Sequence, residues 1–427
     1  MKRRVAVIGG GWAGCAAALT LAEAGVPVTL YEAAQTLGGR ARAISLDGRK
    51  LDNGQHILLG AYTQTLGLLS RLHATDPEAG LIRLPLTIEQ PPDFRLACPA
   101  LPAPLNLLLG LANARGLGWH EKWQAARWAA KVLGGSPQQP DTSVEALLSG
   151  QSERLRRMLW HPLCLSALNT LPESASANTY QRVLAGAFAS RRKHSDLLLP
   201  RHDLGTLFPE PAATRIEALG GTLRLNSRVV GLEPDAQGIA VKTRKEVDQF
   251  DHLILAVAPQ HLAALGQQLP GLEASRDAVA GFRYEPIATA YLQYPAGIRL
   301  SRPMLALAEE PGQFVFDRGQ THGQTGLLAV VVSAAGGLLG QPHDTWLDAA
   351  ETQLRRMVSL PQAIWRRAVI EKQATYACVA NLKRPAVRTG HSRIFLAGDY
   401  TEGPYPATLE SATLSGVQSA QALLDSL

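Results

Sequence analysis

Residues 4–42 read RVAVIGGGWAGCAAALTLAEAGVPVTLYEAAQTLGGRAR, and the fold is decided here. Arg4 to Ile8 is a short apolar run of β type. Gly9, Gly11 and Gly14 follow in G-x-G-x-x-G spacing, an alanine-rich helical stretch runs from Cys15 to Ala24, and a second β-type run, Val26 to Tyr31, ends at Glu32. Gly9 permits the tight strand-to-helix turn, Gly11 lets a pyrophosphate approach the backbone, and Gly14 lets helix and strand pack closely. The helix start offers unpaired N–H groups and partial positive charge to phosphate. Glu32, about 20 residues on, suits a ribose hydroxyl. Strand, glycine loop, helix, strand and acid in that order predict a dinucleotide site.

The chain has 427 residues, which allows two or three domains or one large domain with an insertion. Hydrophobic content of 46% is ample for a core, and no apolar run reaches the length of about 18 residues that a membrane-spanning helix needs. The start, Met1-Lys2-Arg3-Arg4, resembles a signal peptide, but its apolar run stops at the glycine loop. Four scattered cysteines, Cys15, Cys98, Cys164 and Cys378, form no C-x-x-C pair, so neither a metal site nor a disulfide framework is expected and a reducing cytoplasm fits. A net charge of +6 is modestly basic, in keeping with attraction to an anionic surface or ligand. Nucleic acid is a poor fit, because no basic stripe is interleaved with aromatics.

Beyond Glu32 comes Gly38-Gly39-Arg40, two glycines that admit close backbone approach and an arginine able to pair with phosphate. Ala43 to Leu51 reads as a hairpin turning at Asp47-Gly48 and leads into Asp52-Asn53-Gly54-Gln55-His56. His56 reads either as a proton donor or as a structural hydrogen-bonder at a strand end. Leu81 to Ala103 is proline-rich and irregular, with short β-like pieces. Pro104 to Val132 carries Trp119, Trp123 and Trp128 with Arg115, Lys122, Arg127 and Lys131. That pattern reads as an interfacial helix pair that admits lipid, or as a helical cap with its apolar face inward. Gly134 to Thr142 is a linker, and Arg154 to Asn169 is one helix, with Asn169 and Thr170 either capping it or lining an apolar pocket. Thr222 to Val230 reads as one strand, Ala256-Val257-Ala258-Pro259 closes a unit, and Ile394 to Asp399 is a buried strand ending in Gly398-Asp399. The last helix opens near Thr408 and Leu409, with amides placed to stabilise negative charge.

The Gly38-Gly39-Arg40 loop, the Gly54-Gln55-His56-Ile57 segment running to Gly60-Ala61-Tyr62, and Gly398-Asp399-Tyr400-Thr401 resemble flavoproteins of the amine-oxidase and carotenoid-desaturase superfamily. Leu409 and Ser411 stand where that superfamily usually has Met and Gly. The resemblance implies FAD, bound by Gly9, Gly11, Trp12, Ala13, Gly14, Tyr31, Glu32, Gly38, Gly39, Arg40, Gly54, Gln55, His56, Val229, Val230, Ala256, Gly398, Asp399, Thr408 and Leu409. It implies an α/β fold: a glutathione-reductase-like, Rossmann-type FAD-binding domain with an inserted α+β substrate domain and a helical cap. The expected division assigns 1–80, 195–270 and 375–427 to the FAD-binding domain, and 81–194 and 271–374 to the substrate-binding domain with its cap.

Trp160-His161-Pro162-Leu163-Cys164, followed by Ala167-Leu168-Asn169-Thr170-Leu171-Pro172, resembles a segment of the hydroxysqualene dehydroxylases, squalene-associated FAD proteins. This implies reduction of hydroxysqualene to squalene by reduced FAD, the hydroxyl leaving as water. The alternative is a carotenoid desaturase of the phytoene type. Hydroxide is a poor leaving group, so a general acid is needed. His56 is the first candidate, and Tyr405 and His161 are the others. The expected partners are a hydrophobic isoprenoid, a membrane surface reached as a peripheral protein of the inner membrane, and the synthase that forms hydroxysqualene.

Overall fold

The computed structural model describes residues 3–74, 80–135, 137, 139–267, 269–308 and 311–427. Met1 and Lys2 of the basic start, and Ser136 and Gln138 of the linker, lie outside the described residues.

Val5–Ile8 is the centre of a five-stranded parallel sheet. Val28–Tyr31 and then Thr222–Arg224 lie on one side of it, and His252–Leu255 and Ile394–Leu396 on the other. The central strand is wholly buried, as an apolar run covered on both sheet faces must be. The first helix, Trp12–Glu23, packs against the closing helix, Leu409–Leu424. Gly416 makes that crossing close, because a Cβ there would collide with the Ala13 carbonyl oxygen. The hairpin Ala43–Leu46/Arg49–Asp52 turns at Asp47 and Gly48, both at positive φ, as the Asp-Gly pair predicts.

A second five-stranded sheet, fully antiparallel, is ordered Met304–Ala306, Phe314–Asp317, Leu327–Val332, Tyr284–Gln293, Trp365–Tyr376. Its two faces follow the period-two rule. Ala288, Ala290 and Leu292 pack with Trp346, Leu347 and Leu354 of the helix His343–Met357. Tyr291, Phe314, Phe316 and Val331 face the other way, into the larger core. That core also receives the cap helices Leu105–Ala112, Trp119–Leu133 and Ala177–Phe188. A small sheet of Leu58–Leu59, Leu197–Pro200 and Leu81–Leu84 brings together segments from both parts of the chain.

Two expectations need correction. Thr222 to Val230 is not one strand. Asn226 takes positive φ and splits it, so that Thr222–Arg224 joins the parallel sheet and Val229–Pro234 joins a separate three-stranded antiparallel sheet. Arg154 to Asn169 is not one regular helix, because a π-helical turn at Arg156–Trp160 interrupts it. The short β-like pieces expected in 81–103 include Thr87–Gln90 and Phe94–Ala97, which pair as a hairpin.

Trp346 is the largest fully buried side chain of the covering helix. Trp346→Ala is expected to lower unfolding free energy by about 3–5 kcal/mol, measured by chemical denaturation. A loss below about 1 kcal/mol would show that the helix contributes little to holding this sheet.

Candidate active site

The glycine loop has the geometry a phosphate cradle requires. Gly9 sits at φ +109°, and a Cβ there would lie 2.5 Å from the Ala256 carbonyl oxygen, so the loop and the Ala256 turn are held in backbone contact. Gly14 is equally confined, by the Gly9 carbonyl. Gly11 is the opposite case, since the nearest atom to a Cβ would be Gly39 Cα at 3.9 Å. The space over Gly11 and Gly39 is therefore bounded by backbone alone. Gly11 and Gly38 pair as an isolated parallel bridge, and the Gly38 N–H donates to Gly10 O at 2.8 Å. The Trp12–Glu23 helix begins with no side-chain cap and no acid in its first turn, leaving its first N–H groups to a ligand.

Around this cradle the expected contacts are arranged as follows. The Glu32 carboxylate accepts from Gly10 N and Ala34 N, both at 2.7 Å, which fixes it at the end of its strand. Tyr31 is buried, and its hydroxyl donates to Asp248 at 2.7 Å. The Trp12 indole is turned inward, donating to Ala41 O and packing on Phe208, so only its backbone and that of Ala13 are available to a ligand. Arg40 does not stand free for phosphate. Its guanidinium bridges Ala374 O at 2.8 Å and Asp399 Oδ1 at 2.6 Å, joining the second glycine loop to the Gly398-Asp399 strand end. Val229 is buried, and Val230, at the register shift of its strand pair, is exposed.

At the start of the last helix Thr408 is the N-cap, its hydroxyl accepting from Ser411 N at 3.1 Å. Ser411 fits without displacing anything, because its own hydroxyl donates to Asp399 O at 3.2 Å. Glu410 was not anticipated from sequence. It is buried, and its carboxylate accepts from Gln64 N, Thr65 N and Thr65 Oγ1, fastening the closing helix to Thr63–Leu72. Burial raises its pKa against these donors.

Gly54, Gln55 and His56 lie on the loop after the hairpin. A Cβ on Gly54 would meet only His56 Cε1, at 3.9 Å. The His56 Nδ1 lies 3.1 Å from Gly54 O, which fixes the protonated nitrogen there and leaves Nε2 for other chemistry. Burial lowers the pKa of this imidazole, opposed by the charge of Asp52 and the Gly54 carbonyl. Gln55 donates to the Tyr291 hydroxyl at 2.8 Å and accepts from Arg318 at 3.1 Å.

Arg318 leads to a buried cluster that sequence reasoning missed. Its Nη1 is 3.2 Å from Asp52 Oδ2, and the two side chains are 1% and 4% exposed. Asp52 also accepts from Leu204 N, and its carbonyl accepts from the Tyr291 hydroxyl at 2.6 Å. His322 Nε2 stands 3.5 Å from the same carboxylate. The only available signal was a charged residue directly after the buried strand Phe314–Asp317.

The other two acid candidates are separately engaged. His161 pairs with Glu145 at 2.8 Å, and Glu145 also holds Arg156, so that imidazole serves an ion cluster of the cap. Tyr405 is half-buried against Tyr62, ring centroids 6.1 Å apart, and its carbonyl accepts from Arg384. Burial and nearby Glu410 raise its pKa. Asn169 ends its helix in the left-handed conformation, as the capping reading expects, and its buried amide is taken up by Thr375, Glu285 O and Ala334 N.

The model of the flavin containing amine oxidoreductase family matches residues 12–424. The chain is 29% identical to a hydroxysqualene dehydroxylase of Sinorhizobium fredii and 28% identical to one of Rhodopseudomonas palustris, in each case over 99% of both chains. It is 26% identical to the 15-cis-phytoene desaturase of Glycine max, over 98% of this chain and 79% of the relative. Its fold is similar to that of an oxidoreductase from Methanosarcina mazei, with a TM-score of 0.77 at 16% identity over 98% of this chain and 99% of the other. It is likewise similar to putrescine oxidase, with a TM-score of 0.71 at 18% identity over 100% and 99%.

The open face of Gly11 gives a direct check on the cradle. Gly11→Val is expected to fold, with the melting temperature of the FAD-stripped parent, and to be purified without flavin absorbance. Retention of normal flavin content by that variant would remove Gly11 from the site.

Proposed function

Because the chain belongs to the flavin containing amine oxidoreductase family and is an FAD-dependent oxidoreductase, we propose that it removes the hydroxyl group of hydroxysqualene reductively, yielding squalene and water. The observation that carries this reading is the likeness to hydroxysqualene dehydroxylases across 99% of both chains. The residues beside the cradle support it, because the reaction needs a proton donor and the loop carries one in His56.

Gly9, Gly11, Gly14, Gly38 and Gly39 would hold the pyrophosphate, Glu32 the adenosine ribose, Asp399 the ribitol, and the start of the closing helix the pyrimidine edge of the ring. The reduced flavin, when bound, supplies the two electrons of the reduction. The chain supplies the rest. Apolar side chains of the antiparallel sheet and cap exclude water, and His56 protonates the departing hydroxyl from Nε2 while the Gly54 carbonyl steadies Nδ1.

The apolar substrate also assigns a role to the cap. Trp119 and Trp123 are 78% and 62% exposed, and Leu105 and Leu109 on the adjoining helix are exposed too. Exposed Arg127 and Lys131 continue the Trp119–Trp123 stripe along the same helix. Tryptophans bordered by basic residues suit the interface of an anionic bilayer. No helix among the described residues is long and apolar enough to cross a membrane, so we attribute peripheral attachment to this face. Hydroxysqualene then arrives from the enzyme that forms it by way of the lipid phase.

Anaerobic incubation of reduced, FAD-loaded protein with hydroxysqualene is expected to give squalene. A coloured polyene from phytoene with an electron acceptor, and no squalene, would establish the desaturase reading instead. His56→Ala is expected to keep FAD and lower kcat by about a hundredfold or more. Because the imidazolium is the active form and burial holds its pKa below the ordinary 6.5, turnover is expected to fall as pH rises through that lowered value. His56→Ala with near-normal kcat would end the assignment. Trp119→Ser/Trp123→Ser is expected to lose co-sedimentation with vesicles containing anionic lipid at an unchanged melting temperature. Equal sedimentation of variant and parent would dismiss this face as the attachment site.

A further inference from the structure

Each dehydroxylation consumes a proton, so a half-buried acid must be recharged from bulk water in every cycle. Resting on the reading of His56 as that acid, we propose that His322 delivers the proton to His56 across the small cavity that both side chains line. His56, Gln55, Asp52, Thr321 and His322 contribute to the walls of that cavity, together with Leu199, Phe316 and neighbouring apolar groups. Its size suits a single water molecule, for which Asp52, Gln55 and the two imidazoles on the wall are the polar partners the relay requires.

The geometry suits a relay rather than a purely structural pair. His322 Nδ1 is engaged with the Thr321 hydroxyl at 2.8 Å. Its Nε2 is buried and makes no hydrogen bond among the described residues, standing 3.5 Å from Asp52 Oδ2. Asp52 is in turn held by Arg318 and Leu204 N, so the carboxylate that orients His322 cannot swing away. On its other side His322 adjoins exposed Gly323, near the surface pair of Lys50 and Asp203. The ring therefore lies between solvent and the cavity.

The charges facing His322 are Asp52 from the hairpin strand, Arg318 from its own helix, and Asp203 with Lys50 on the solvent side. Burial and Arg318 lower its pKa, and Asp52 and Asp203 oppose them, leaving it below the ordinary imidazole value. His56 is displaced in the same direction by the same dominant cause. In one cycle a proton enters at His322, passes by cavity water to His56, and leaves in the water formed from the substrate hydroxyl. Along the relay itself only N–H and O–H bonds change; in the substrate the C–O bond breaks as its hydroxyl takes the proton, a C–H bond forms with the hydride equivalent that the reduced flavin would supply, and His322 returns to its starting state.

The test uses the full chain loaded with FAD and the variant His322→Gln. Its kcat for dehydroxylation is expected to fall about tenfold or more, with KM and flavin content unchanged, a larger solvent isotope effect, and partial rescue by added imidazole. Parent-like kcat and pH profile, or a loss that imidazole does not restore, would overturn the relay. Thr321→Val, which removes the Nδ1 partner and leaves the ion pair intact, is expected to move the same readouts in the same direction, and it decides the matter if His322→Gln does not fold. A second readout needs no turnover: in ¹⁵N-imidazole NMR of the oxidised protein, His322→Gln is expected to slow proton exchange at His56. Unchanged exchange refutes the relay whatever the substrate is. Absence of squalene formation by the parent enzyme refutes the dehydroxylase reading and leaves the NMR result to judge the relay alone.

Discussion

One buried carboxylate, Asp52, fixes how the two sheets meet at the candidate site. Its side chain accepts from Leu204 N and Arg318, and its carbonyl accepts from Tyr291. The hairpin strand, the segment returning to the parallel sheet, the long antiparallel strand and the helix after Phe314–Asp317 are thus joined at one residue. Burial alone would push this carboxyl towards the neutral form, but the partners outweigh it and its pKa lies below the ordinary carboxylate value. The group is charged, and removing one side of such a buried pair typically costs about 3–5 kcal/mol, because the other charge is left without compensation. Gly54, Gln55 and His56 follow directly in the chain. Their placement against the antiparallel sheet is set by the same contact.

The glycine-loop side is held by two further long-range clamps. Arg40 and Asp399, 359 residues apart in the chain, bring the second glycine loop and the last strand together. Among the described residues Glu410 has no basic partner at hydrogen-bonding distance. Two backbone N–H groups at the start of Thr63–Leu72 and the Thr65 hydroxyl meet its charge instead. This is an anion at a helix N-terminus, where peptide dipoles and free donors favour it. The closing helix is thereby oriented at its first turn, where its amides are wanted.

What was legible in the sequence follows chain distance. The glycine loop, its helix, Glu32 and the Asp47-Gly48 turn are local devices, each enforced by residues within about one supersecondary unit. The Asp52 cluster was not legible, because Asp52 and Arg318 are separated by 266 residues and neither sits in a motif. Arg40 and Asp399 were both recognised, but as separate ligand contacts, since nothing local shows that they face each other. The error at Thr222 to Val230 has a different origin. Strand-type residues lie on both sides of Asn226, and it is the positive φ of that residue that takes the chain from one sheet to another.

The cap shows why pattern alone could not separate two readings of Pro104 to Val132. Trp119–Leu133 buries Ala125, Trp128, Ala129 and Val132 on one side and exposes Trp119 and Trp123 on another. A helix that only covers a core needs one apolar stripe, with polar residues elsewhere. This helix has a complete inward stripe and still carries two indoles outside it. The inward stripe satisfies the cap reading in full, so the outer tryptophans cannot be explained by packing within the chain. Their cost in exposed apolar surface is offset only if something apolar covers them in use. The substrate we propose dissolves in lipid, so the cover we propose is a membrane surface, and the basic residues farther along the stripe suit an anionic one.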